Sequence, residues 1–119
     1  MCSSDLIQLE DADGDEMVLI VEATNQHVLV MNKDGIHLKD GANGHEVVLD
    51  SSGITITDAA NSTNTIKMES AGITVSDKNG NVIEMTDSAF NITSKVALTI
   101  DASGQALKFI ASTIDLNKG

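Results

Sequence analysis

Few residues in this chain have types and spacings suited to chemistry. Asp11-Ala12-Asp13-Gly14-Asp15, with Glu22 in the twelfth position, echoes the alternating carboxylates of a calcium loop. Glu16 stands where such a loop needs glycine for its sharp turn, and no helical period flanks the segment. The stretch therefore reads as an acidic Asp-Gly turn between two strands. His27, His37 and His45 are the only histidines, and no His-x-His pair occurs. His37 sits between Ile36 and Leu38, so in an alternating pattern it faces solvent. Cys2 is the sole cysteine, which excludes an intrachain disulfide, and residues 1–5 read as a tail. Asn61-Ser62-Thr63 and Asn91-Ile92-Thr93 match the glycosylation sequon, a frequent accident in a chain rich in Asn and Thr. There is no nucleophile elbow, phosphate loop or Cys/His array, so neither an enzyme nor a cofactor is expected.

The elements behind these residues must therefore explain the chain. Of 119 residues, 41% are hydrophobic, yet there are two Phe and no Trp or Tyr. Small single-chain cores lean on aromatic area, whereas Ile, Val, Leu and Met suit a narrow interior. Proline is absent, so every residue can donate to a ladder. No apolar run reaches the length of a membrane span, and no signal peptide is expected. Residues 1–50 hold eleven acids against two lysines, and residues 51–119 hold seven acids against five. With no arginine, basic patch or stacking platform, nucleic acid is disfavoured as a partner.

The chain repeats itself. Gly35-Ile36-His37-Leu38-Lys39-Asp40 returns as Gly53-Ile54-Thr55-Ile56-Thr57-Asp58 and as Gly72-Ile73-Thr74-Val75-Ser76-Asp77. Ala89-Phe90-Asn91-Ile92-Thr93 is a degenerate fourth copy. An apolar pair precedes each anchor: Leu29/Met31, Val47/Leu49, Ile66/Met68 and Ile83/Met85. Each repeat is thus two short strands with apolar residues at i and i+2 and mostly polar residues between. Turn signals separate them at Asp34-Gly35, Asn43-Gly44, Ser52-Gly53, Asn79-Gly80 and Ser103-Gly104. The pattern continues through Val96/Leu98/Ile100, Leu107/Phe109 and Ile114/Leu116. Some thirteen strands spaced by about 4.7 Å predict a rod on the order of 60 Å long.

Three all-β architectures accommodate such strands. A sandwich or barrel wants a larger, more aromatic core, and a single-chain solenoid stacks its own coils between caps. An intertwined homotrimer winds three chains about one axis, each strand pairing with strands of its neighbours. Its thin interior suits Ile, Val, Leu and Met, and it removes lateral edges. That prism is the expected fold. Its core would be Ile36, Leu38, Val47, Leu49, Ile54, Ile56, Ile66, Met68, Ile73, Val75, Ile83, Met85, Phe90 and Ile92.

The run GITITD…NTIKMESAGITVSDKNGNVIEM resembles the C-terminal β-helical needle of contractile-injection spikes. These are the VgrG proteins of type VI secretion, phage baseplate spikes, and the spikes of pyocins and Photorhabdus-type particles. Residues 6–16 resemble the join between such needles and a preceding OB-fold domain, and the likeness runs from about Leu6 to Leu116. It implies one needle domain over residues 6–119, a fragment of a longer spike. It also implies a homotrimeric triple-stranded β-helix that punctures membranes, made in the bacterial cytoplasm and expelled toward a target cell. In that family a PAAR-repeat cone often caps the needle, and exposed Ile114 and Leu116 are the expected docking residues for it or a cargo adaptor. No metal is expected; the one route to an ion is an axial site built from three copies of one residue. A phage tail-fibre or adhesin shaft is the alternative use of such a trimer, and a small carbohydrate-active β-helix is a third reading.

Overall fold

A computed structural model of the chain describes residues 4–59 and 63–117. The tail expected over residues 1–5 and the sequon at Asn61 lie partly outside the described residues, and Cys2 wholly so. Ten strands form one antiparallel sheet in which every strand pairs with its sequence neighbour. They are β1 (Leu6–Glu10), β2 (Met17–Glu22), β3 (His27–Asn32), β4 (Gly35–Lys39), β5 (Glu46–Asp50), β6 (Gly53–Asp58), β7 (Asn64–Glu69), β8 (Gly72–Ser76), β9 (Val82–Met85) and β10 (Phe90–Thr93). The molecule is an elongated meander measuring 62 × 34 × 28 Å.

The repeat is a hairpin whose anchor glycine opens the second strand. Residues 33–34, 51–52 and 70–71 make two-residue links, closed by the pairs Asn32–Gly35, Asp50–Gly53 and Glu69–Gly72. The three glycines have φ of +136°, +143° and +138°. A Cβ on any of them would stand 2.0 Å from a carbonyl oxygen of the following strand: Leu49, Met68 or Met85. Glycine is required here both for its φ and for the close approach of a neighbouring backbone. Ala89 takes its place in the fourth copy, where the link before β10 is the four residues 86–89 and Ala89 has no positive φ.

Two expectations need correction. The ladder runs within one chain throughout β1–β10 rather than between chains. Short links and matched apolar pairs let each strand satisfy its neighbour locally, at little loop-closure cost. The strand count is ten among the described residues, not some thirteen, so at about 4.8 Å per step the sheet spans roughly 43 Å. Residues 94–117 keep the alternating pattern but join no ladder, because period two specifies a face and not a partner. As the repeat predicts, and with apolar exceptions, the outward positions are mostly polar. Leu19, Val30 and Val48 occupy them in β2, β3 and β5, where Thr55, Lys67, Thr74 and Glu84 stand farther along. Strands β2, β3 and β5 are thus apolar on both faces.

Candidate assembly surface

Residues paired across an antiparallel ladder project to the same face, and the register sorts the apolar residues with one rule. One column runs Leu9, Val18, Met31, Ile36, Leu49, Ile54, Met68, Ile73, Met85, Phe90 across the sheet. A second runs Ile7, Ile20, Leu29, Leu38, Val47, Ile56, Ile66, Val75, Ile83, Ile92. All fourteen expected core residues lie in these columns. The columns also take in Leu29 and Met31, the apolar pair before the first anchor, and four residues of β1 and β2 that the repeat does not reach.

This face has no cover. No described hydrophobic residue is buried, and most of the two columns is open to solvent, from 37% at Ile73 to 74% at Ile7 and Leu9. Folding of one chain makes a sheet and no core. A contiguous apolar surface of that extent marks an interaction site. Between β6 and β9 the same face forms an apolar trough of about 420 Å³ along Ile56, Ile66, Val75 and Ile83. Asp58, Asn64, Asp77 and Asn81 stand at one end of these strands.

That edge is held by a relay of polar side chains. Asp40 Oδ1 accepts from the Ala42 N–H at 3.1 Å, and Asp40 Oδ2 accepts from Asn43 Nδ2 at 2.7 Å. Asp77 Oδ1 accepts from the N–H groups of Asn79 and Asn81, each at 2.9 Å. Asn64 Oδ1 accepts from the Lys78 N–H at 3.2 Å, and Asn81 Oδ1 from the Lys95 N–H at 2.7 Å. Asn64 and Asn81 thereby tie the loop after β6 to the loop after β8, and that loop to the segment after β10. Hydrogen bonds hold four carboxyls below the ordinary range. The main donors are the Asn43 amide for Asp40, the Ser52 hydroxyl for Asp50, the Asn81 amide for Asp77 and the Asn25 N–H for Glu22.

A depressed carboxyl pKa adds stability above the unfolded value of about 4, and that stability is lost as pH falls through the folded values. The expected urea midpoint is therefore flat through neutrality with respect to these four groups and declines below about pH 4. A midpoint that rose on acidification to pH 3 would contradict their role.

The candidates for chemistry separate in space. Asp15 N–H donates to Ala12 O at 2.8 Å in a turn at one end of β2. Glu22 lies at the other end of β2, where its carboxylate accepts from Thr24 and Asn25 N–H at 3.0 and 2.8 Å. The calcium-like spacing is a turn and a separate loop clamp. His27 and His45 stand apart as well, with Nδ1 at 3.1 Å from Asp40 Oδ1 and at 2.9 Å from Asp58 Oδ1. His37 is exposed on the face opposite the columns, between Val30 and Val48. Among the described residues no three metal-ligating side chains converge. Ile114 and Leu116 are 59% and 93% exposed and belong to no strand.

No family model, curated protein or solved structure matches the chain.

Proposed function

We propose that the chain is the needle of a contractile-injection spike: a homotrimer in which three such sheets close a β-prism that transmits axial force and pierces a membrane. The observation that carries the trimer is the unbroken two-column apolar face with no core of its own. Three such sheets turned inward cover one another's columns and leave Thr55, Lys67, Thr74 and Glu84 wet. The injection role rests on the resemblance of residues 6–116 and on the shape, a stiff rod with a polar exterior over its second half. Such a rod passes through lipid under an external force without being dissolved by it. In intact particles, a terminal tag on this chain should be found by electron microscopy on the particle axis at its leading end. A tag absent from the particle, or placed on its flank, would refute the role.

Ile114 and Leu116 supply the docking surface for a separate tip, a PAAR-repeat cone or a cargo adaptor. Exposed strand-pattern backbone with apolar side chains is a template for another protein. Deleting residues 113–119 should leave the assembly intact and abolish co-purification with the tip protein. Unchanged binding by the truncated assembly would remove these residues from the interface.

A further inference from the structure

The ladder stops at Thr93, but the alternation does not. Val96, Leu98, Ile100, Leu107 and Phe109 keep period two, and all five are more than half exposed. Between them, Gln105 N–H donates to Ala102 O at 2.9 Å, with φ of +47° at Ser103 and +81° at Gly104. Positive φ at both central residues defines the mirror-image turn that joins twisted antiparallel strands. Counting back from it sets Ile100 opposite Leu107 and Leu98 opposite Phe109, the same pair of apolar rungs that every strand of the sheet uses. Residues 96–111 therefore contain a hairpin turn with matched arms, yet neither arm is in a ladder.

The obvious partner is the free edge of β10, which pairs with β9 alone. Its own chain cannot deliver the hairpin there. A two-residue link over Ser94 and Lys95 would set Thr93 opposite Val96, and hence Ile92 opposite Ala97 and Asn91 opposite Leu98. That register puts Leu98 on the polar face. The register that matches faces, Ile92 opposite Leu98 and Phe90 opposite Ile100, needs a three-residue loop over Ser94, Lys95 and Val96. Such loops depend on a left-handed residue, and none of these three has a positive φ. The turn after β8 begins in the same way, since Lys78 N–H and Lys95 N–H each bind the side chain of an asparagine fourteen residues earlier. It then reverses through Gly80 at φ +83°, and the segment after β10 has no glycine in that place.

Each chain thus carries an open edge and an unpaired hairpin of matching pattern that its own linker cannot join. A second copy of the chain supplies both. We propose that the 96–111 hairpin of each chain adds to the β10 edge of a neighbouring copy, in the register Ile92–Leu98 and Phe90–Ile100. This rests on the trimeric reading and sharpens it: chains are exchanged at this end, while β1–β10 stay in one chain.

In a Cys2→Ser background, Asn91→Cys and Thr99→Cys face each other across that rung on the outer side. Chains bearing one substitution each, with tags of different size, are co-expressed and treated with an oxidant or a short bis-maleimide. A covalent species containing both tags is the expected result, absent when Thr55→Cys replaces Asn91→Cys. An assembly of three-chain mass with no such species, or a doubly substituted chain that links only within itself, overturns the exchange and leaves the trimer standing. A single-chain mass before treatment overturns both.

Discussion

Replacing Ile73 with Asp should abolish assembly, while replacing its neighbour Thr74 with Asp should leave it nearly unchanged. Ile73 lies in the first apolar column between Met68 and Met85, and Thr74 lies on the opposite face between Lys67 and Glu84. In the proposed trimer the Ile73 substitution brings three carboxylates into one apolar layer near the axis. Burying even one unpaired polar group costs roughly 2–7 kcal/mol, and a charge costs more. At position 74, half-exposed on the opposite face beside Lys67, the new carboxylate still reaches water, and a surface substitution of this kind shifts stability by about 0.5 kcal/mol. The readout is the SDS-resistant species before boiling, which should persist for Thr74→Asp and vanish for Ile73→Asp. Equal behaviour of the two would mean that the column is not an interface.

The second large effect falls on a residue with no side chain. Gly53→Ala forces a Cβ to within 2.0 Å of Met68 O and holds alanine at φ +143°. Backbone strain of this kind costs about 1–3 kcal/mol before any displacement of β7 is counted. Gly44→Ala is the control, because Gly44 also has positive φ, +79°, but nothing lies within 4 Å of its added Cβ. Thermal unfolding should show a much larger fall in midpoint for Gly53→Ala than for Gly44→Ala. Equal shifts would leave the dihedral as the whole cost and remove the close backbone approach from the account.

Much of this architecture is written in period two. Alternation placed Ile54/Ile56, Ile66/Met68 and Ile73/Val75 on one face, and the Asp-Gly, Asn-Gly and Ser-Gly pairs fell at turns. The recurrence of glycine every eighteen or so residues signalled the hairpin, though its cause, a carbonyl of the next strand, needed coordinates. Three things were less legible. Which strand pairs with which is a matter of partner, and an apolar i, i+2 pair fits the neighbour in sequence and a strand of another chain equally well. The double-sided apolarity of β2, β3 and β5 was present in the runs Met17-Val18-Leu19-Ile20-Val21 and Val28-Leu29-Val30-Met31. The fate of residues 94–117 turned on a linker, Ser94-Lys95-Val96, whose missing left-handed residue carries no weight until the register of β10 is known.

The mass of the folded chain in dilute solution tests the central claim most directly. Sedimentation equilibrium at neutral pH should give three times the 12.5 kDa chain mass, with no free chain on dilution. An obligate assembly whose only core lies between its copies has no stable folded monomer to release. A folded, monodisperse 12.5 kDa particle would contradict it, since a single sheet with both columns open would then be stable by itself.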